Sequence, residues 1–512
     1  MILFSKGGKT MRFMSNHNHS EDSNFRLRDC IIRAEDIVNR AVELGFAGVS
    51  ITDHETLSAH VRILQRYLEL KKLKEKFDNS SEEEIEADKD LRKNKKLLEK
   101  MDPEFKLGLG NEIYLVNSLE EVKDNYVSGE TKFWHFILIA KNQKGYQQIR
   151  EISSKSAWEN WFRQGKMERV PTVKSELEAI IGEEKGNIIA STACVGGELA
   201  QHMLGYYRDG SLVAKKKIHE FITWCINVFG KENFYLEMQP TFEDNDDQAI
   251  VNKNIPTIAK AYGLKYQVTT DSHYLKKEHR MVHAAFLRAD DTEKSGEREV
   301  EDFYRNAYMM DVEEIAMALA THLSKEEIKE ALKGTMDIHS KIEEVELYHD
   351  VIVPEDRNIG EFKIRGLFKD YYDKYEYIKN FAESEDRQDN YLLYMIENGF
   401  ERLKQEYSET NLARIDTELG IIWQVSERLN QRLSQYYNLV RGLIQEIMWK
   451  VSYVGPARGS VTGFYICYLI SITQVNPLKY GLAEWRHLHP SRPELPKQYW
   501  ALVVNHARGC VA

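Results

Sequence analysis

Residues 36–54 read Asp-Ile-Val-Asn-Arg-Ala-Val-Glu-Leu-Gly-Phe-Ala-Gly-Val-Ser-Ile-Thr-Asp-His. The apolar positions from Ile37 to Leu44 recur at helical spacing, and Gly45 ends the run. Gly48-Val49-Ser50-Ile51-Thr52 follows as a short apolar strand with Asp53 and His54 at its end. A helix feeding a strand in this way predicts an α/β unit. Outward from it, 107–116, 133–140, 187–194, 233–239 and 266–270 are further short apolar strands. Each carries or adjoins a polar residue capable of chemistry, the placement expected of an α/β barrel whose function sits at strand ends. The intervening 68–105 is dense in Lys and Glu, and predicts an exposed helical insertion.

The chain has 512 residues, 42% of them hydrophobic, enough for two or three domains with their own cores. Lys+Arg 70 against Asp+Glu 81 gives a net charge of -11, which excludes a uniformly basic nucleic-acid coat and leaves only local contact. Five scattered cysteines argue against a disulfide framework and for a reducing, cytoplasmic compartment. No stretch reads as a signal peptide, and the longest apolar run, 461–475, is too short to span a bilayer.

His17-Asn18-His19 puts two imidazoles at i and i+2, on one side of an extended segment. Thr270-Asp271-Ser272-His273 repeats that spacing with a carboxylate and an imidazole. Glu112 lies inside an apolar strand, where burial without a partner is costly. His54, His135 and Cys194 complete a series in which strand after strand delivers a ligand type. Neutral imidazoles, carboxylates and one thiolate can share several divalent cations.

In order, H-N-H-S, I-T-D-H, G-N-E-I-Y, H-F-I-L-I-A-K-N-x-x-G-Y, T-A-C-V-G-G-E and T-D-S-H-Y-L span 13–283. Together they resemble the PHP (polymerase and histidinol phosphatase) domain of bacterial-type DNA polymerase III alpha subunits, in a phage-like version. The resemblance implies a PHP-type (β/α)7 barrel over 1–285, with three divalent ions (Zn, Mn or Fe). Its ligands would be His17, His19, Asp29, His54, Glu112, His135, Cys194, Asp271 and His273, with Asp22 competing for the place of Asp29. Members of the family with the full set are 3′–5′ exonucleases, so metal-assisted phosphodiester hydrolysis is expected. Lys141, following the His135 strand, is a candidate for holding the nucleic-acid backbone at the mouth.

The region 286–496 is mostly helical in pattern, acidic and Tyr-rich until about 432, then basic. Val454-Gly455-Pro456-Ala457-Arg458-Gly459-Ser460 reads as a tight turn feeding a helix over 461–472. The N–H groups at the start of that helix, with Arg458 and Ser460, would cradle a phosphate. The segment also resembles the family's G-P-G-R-G-S palm motif, with Ala457 for one glycine. That assigns Gly455, Arg458, Gly459 and Ser460 to the incoming triphosphate. Gln474-Val475-Asn476-Pro477-Leu478-Lys479-Tyr480 and His489-Pro490-Ser491-Arg492 extend the likeness. Family palms place their D-x-D carboxylates just after the counterpart of Pro496, but 495–512 contains no Asp or Glu.

The expectation is therefore the N-terminal portion of a replicative polymerase, an incomplete α+β palm region, with 497–512 as a non-homologous tail and Met11 favoured over Met1 as the start. It would keep a 3′–5′ exonuclease site and act on DNA primer-template among other replisome proteins. It would need Mg and a separately encoded C-terminal fragment to polymerise. The alternatives are a small-molecule phosphoesterase and a non-catalytic half of a split polymerase.

Overall fold

The computed structural model describes residues 11–492 except 125, 128–130, 165–166, 183, 244–245, 290–303, 350–351 and 355–358. The expected tail at 497–512 and the residues before Met11 lie outside that set. The chain forms two compact units, divided between Leu347 and Tyr348.

The first unit is built on β1 (Met14–Ser15), β2 (Gly48–Ile51), β3 (Lys106–Val116), β4 (Trp134–Ala140), β5 (Phe162–Gln164), β6 (Met167–Arg169), β7 (Thr172–Val173), β8 (Ile188–Ser191), β9 (Phe234–Met238) and β10 (Lys265–Val268). The main sheet runs β1-β2-β3-β4-β8-β9-β10, with β7 joined to the end of β3, while β5 and β6 pair as a separate hairpin. A parallel bridge between Asn18 and Ser272 joins the segments that follow the first and last strands. The sheet is thus curled into the expected barrel, with helices such as Ala34–Glu43, Gln143–Glu159 and Leu212–Phe229 outside it.

One strand departs from an all-parallel barrel: β4 is antiparallel to both β3 and β8. Inside, Met14, Ile137, Ile139, Ile189 and Tyr235 pack with Ile338 and Ile342. The last two belong to or follow the helix Lys325–Lys341. There Gly334 brings its backbone so close to the Tyr266 carbonyl that a Cβ would stand 2.0 Å from the oxygen. The first unit therefore extends past 285, the boundary expected from composition, because this later helix closes its core.

The insertion at 68–105 is helical as expected, in His60–Asp78, Glu82–Ala87 and Lys89–Leu98. It is not only a solvated face, since Leu70, Ile85, Leu91 and Leu98 are buried. Arg66 ties it to the neighbouring helix through Asn39 at 2.9 Å.

Among its described residues the second unit is helical, apart from an isolated bridge between His489 and Arg492. Helices Glu376–Glu383, Arg387–Arg402 and Glu409–Leu429 bury Ile378, Phe381, Leu392, Ile396, Leu419 and Ile422 against Phe464, Ile466 and Leu469. The long helix expected at 461–472 is instead a 3-10 turn, Gly459–Gly463, and a short helix, Tyr465–Leu469. The amides of Tyr465 and Ile466 both donate to the buried Glu418 carboxylate at 2.8 Å. Those two amides of the helix start are thus already satisfied from within the chain.

Burial holds the Glu418 carboxyl up, from 4.5 to about 7, despite Arg414 and the two amides. A raised carboxyl favours the folded state while protonated, so its contribution is lost as pH rises from about 4.5 through about 7. Glu418→Gln should therefore flatten part of the loss of second-unit stability across that window. Thermal unfolding of both proteins at pH 5 and pH 8 checks this; parallel pH profiles would contradict it.

Candidate metal centre

Seven of the nine expected ligand residues sit at or just beyond the mouth-side ends of barrel strands, Glu112 lies within β3 where it bridges to His54, and Asp29 comes from the loop after β1. The reversal of β4 explains His135: it opens its strand, yet pairs with Tyr114 near the C-terminal end of β3. The same reversal corrects the reading of Lys141. It follows Ala140, which pairs with Ile188 at the start of β8, so Lys141 lies at the opposite end of the barrel from the mouth. There its backbone bonds Asn187 at 2.9 Å and Glu343 at 2.8 Å. A cation closer to the cluster is Arg169, 5.3 Å from the ring of Tyr114, whose hydroxyl meets His54 Nδ1 at 3.2 Å.

The ligand atoms converge as three overlapping groups: His17, His19, Glu112 and Asp271; His19, His54 and His273; Glu112, His135 and Cys194. His17 Nε2 lies 3.0 Å from Glu112 Oε2, 3.2 Å from Asp271 Oδ1 and 3.1 Å from His19 Nε2. Asp29 Oδ2 reaches His54 Nε2 at 3.2 Å and His273 Nε2 at 3.3 Å. Cys194 Sγ is 3.4 Å from His135 Nδ1. Asp22 takes no part; its carboxylate is held by Arg62. The structure thus brings all nine together and sets Asp22 aside.

Hydrogen bonding within the chain does not satisfy this cluster. Asp29 Oδ1, Glu112 Oε1, Asp271 Oδ1 and His273 Nε2 are buried without a well-aligned hydrogen bond among the described residues, and the last three lie close to other side chains of the same cluster. Such atoms are expensive unless something meets them. The donor set of imidazole, carboxylate and thiol nitrogen, oxygen and sulfur suits divalent transition metals. Burial alone would lower the His19 imidazole, but Asp271 and Glu112 outweigh it and raise it to about 9. His17 is raised for the same reasons, with Glu237 contributing. Burial, helped by the charge on His19, lowers His54 to about 4.

The backbone is turned unusually at the mouth. Glu55, Ala193 and Asp271 have φ of 50, 57 and 46, each at or beside a candidate ligand. Left-handed backbone at a non-glycine costs roughly 1–3 kcal/mol, and it collects at functional sites.

Sequence reasoning missed Glu237. It lies on β9, fully buried, with Oε1 2.7 Å from His17 Nδ1. Ser191 and Thr269 each donate to it at 2.6 Å. Below them Gln267 links Ser191 to Asn16, and Asn16 to Ser50. Glu237 therefore fixes which nitrogen of His17 faces the cluster. Its signal was available: a carboxylate inside Phe234-Tyr235-Leu236-Glu237-Met238 is the same anomaly as Glu112 on β3. Asp53 likewise braces the loop after β1, accepting from Ser20 and Ser23 at 2.7 and 2.8 Å.

A curled sheet thus gathers metal-ligand side chains from many of its strands at one mouth. The PHP domain family model matches residues 15–241, and the bacterial DNA polymerase III alpha NTPase domain model matches 390–497. Over 498 residues the chain is 44% identical to the DNA-directed DNA polymerase of Bacillus phage SPbeta, covering 94% of this chain and 36% of that protein. It is 25% identical to the DNA polymerase III subunit alpha of Aquifex aeolicus, covering 94% and 35%, and 25% identical to that of Helicobacter pylori, covering 94% and 34%. The chain thus carries matches to a PHP domain and to a DNA polymerase III alpha domain, and it spans about a third of the length of these relatives. No described helix is long and apolar enough to cross a membrane.

Removing a carboxylate that orients a metal-bound imidazole typically costs 10–100-fold in metal affinity. Glu237→Gln should weaken Mn²⁺ or Zn²⁺ binding by about that factor while the fold is retained. Competition titration against a chromophoric chelator measures it; unchanged affinity would show that Glu237 has no such role.

Proposed function

We propose that the first unit is a metal-dependent 3′–5′ exonuclease and that this chain serves DNA replication. The observation that carries the reading is the cluster of buried ligand atoms at the barrel mouth, in a chain whose relatives are DNA polymerases. In this reading His17, His19, Asp29, His54, Glu112, His135, Cys194, Asp271 and His273 hold up to three divalent ions. Such ions supply positive charge to the non-bridging phosphate oxygens and a bound water of lowered pKa.

The chain's own residues do the positioning. Glu237 keeps His17 aimed inward. Tyr304, donating to Asp29 at 2.7 Å, fixes that carboxylate between His54 and His273. In the reaction the water oxygen bonds to phosphorus and the bond to the 3′-oxygen breaks. The water's proton goes to that departing oxygen, and a 5′-nucleotide is released.

The second unit, in this reading, contributes Gly455, Arg458, Gly459 and Ser460 to a nucleoside triphosphate and Mg. The loop itself would make that contact, since Glu418 occupies the following helix start. Nucleotide addition needs acidic metal ligands that 495–512 do not contain. It would therefore depend on residues beyond these 512, in a longer chain or a separately encoded C-terminal fragment. Primer-template DNA and other replisome proteins are the corresponding partners. Cys30, Cys194, Cys225 and Cys467 are buried and form no disulfide among the described residues, in keeping with a reducing, cytoplasmic setting.

A 5′-labelled primer with a mismatched 3′ end, incubated with Mn²⁺ or Zn²⁺ and no nucleotides, tests the activity. The wild type should shorten it, and His17→Ala should do so at least about a hundredfold more slowly. Equal shortening by both would refute the assignment. Hydrolysis of small phosphomonoesters in preference to DNA ends would favour the small-molecule reading.

A further inference from the structure

Beside the cluster the first unit has a cavity of ≈ 420 Å³, lined by the segments after β9 and β10 and by 305–307. Ligand pockets commonly start at roughly 300 Å³, so it can take a small organic group. Asp271 is part of its wall, as is Val195, the neighbour of Cys194. The cavity thus abuts two of the candidate ligand positions, on the side of the mouth between β8 and β10.

Its chemistry is unlike a phosphate site. Glu243, Asp246 and Asp247 line it, and Arg305 is the one cation that does. Each carboxylate is engaged: Glu243 with Arg305 at 3.3 Å, Asp246 with Thr241 at 2.5 Å, Asp247 with Arg208 at 2.8 Å. An acidic wall repels a second phosphate. What the cavity offers is uncharged hydrogen bonding. Gln248 donates to Asn252 at 2.9 Å, while its buried Oε1 has no partner among the described residues. The Gln239 side chain holds only long contacts of 3.4 Å to Glu237 and Asp271, and Asn306 adds a third amide to the wall. A buried acceptor without a donor is a recognition element awaiting an N–H or O–H.

We propose that this cavity receives the sugar and base of the terminal nucleotide whose phosphodiester is presented to the cluster. The anionic backbone stays outside, over the metal-binding mouth. The assignment rests on the exonuclease reading for its substrate. It adds to that reading a nucleoside-binding pocket that Gln248, Gln239 and Asn306 define. The unpartnered Gln248 oxygen would meet a base amino or imino N–H or a sugar hydroxyl.

The test uses the full chain with Zn²⁺ or Mn²⁺ and two variants, Asn306→Trp to fill the cavity and Gln248→Leu to remove the acceptor. Two chromogenic diesters are compared: the p-nitrophenyl ester of thymidine 5′-monophosphate, which carries a nucleoside, and bis(p-nitrophenyl) phosphate, which does not. Separately, binding of thymidine 5′-monophosphate and of inorganic phosphate to the Zn²⁺-loaded protein is titrated. The proposal expects the wild type to bind the nucleotide more tightly than phosphate. It also expects each variant to lose roughly tenfold of that preference, the scale of one well-made hydrogen bond, and of the preference for the nucleoside diester. Equal affinity of the wild type for nucleotide and phosphate, or variants that keep the full preference, would overturn it. If nucleotide binding responds to the variants but no diester is cleaved, the pocket stands and the exonuclease reading falls.

Discussion

The first unit depends on one electrostatic constraint: imidazoles and carboxylates are packed about 3 Å apart and buried from solvent. His17, His19, Glu112 and Asp271 are each less than a tenth exposed. Ionised groups this deep are tolerated only when opposite charge is close and well aligned. The cluster therefore needs added positive charge, as protons on His17 and His19 or as metal ions. Much of the surrounding architecture keeps that arrangement rigid. Glu237 and its hydroxyl partners hold one side, Asp53 and the serines of the first loop another, and Tyr304 and Tyr114 brace Asp29 and His54.

The barrel is shaped around the same demand. A parallel sheet delivers side chains at the C-terminal ends of its strands. Reversing β4 brings a residue from the beginning of a strand into that set, and His135 uses the opportunity to face Glu112 and Cys194. Left-handed backbone at Glu55, Ala193 and Asp271 turns the chain sharply where it leaves the strands. The core pays for that strain through close contacts, such as the helix Lys325–Lys341 lying backbone to backbone on β10.

The strands were legible because apolar runs of four to eight residues alternate with helical periodicity. The ligand positions were legible because polar groups interrupted those runs. Direction was not: the pattern of 133–140 is the same in either sense, so Lys141 was placed at the wrong end. Glu237 escaped notice because a single buried carboxylate has no spacing motif, and its meaning comes only from the imidazole across the barrel. In the second unit the Gly/Pro turn at 455–460 was visible. The satisfaction of the next helix by Glu418, 47 residues before Tyr465, was not, because no local signal couples a carboxylate to amides that far away.

Across both units buried carboxylates organise backbone or imidazole groups from distant segments, Glu237 in one and Glu418 in the other. Among the described residues the first unit gathers buried carboxylate and imidazole atoms without aligned partners at one centre, which is why the chemistry is proposed there. Crystals grown with Mn²⁺ and measured at a wavelength of strong manganese anomalous scattering test this most directly. The account predicts anomalous peaks within bonding distance of Glu112, His17, His19 and Asp271 at the barrel mouth. A map with no peak there, or with peaks only at surface carboxylates, would contradict it.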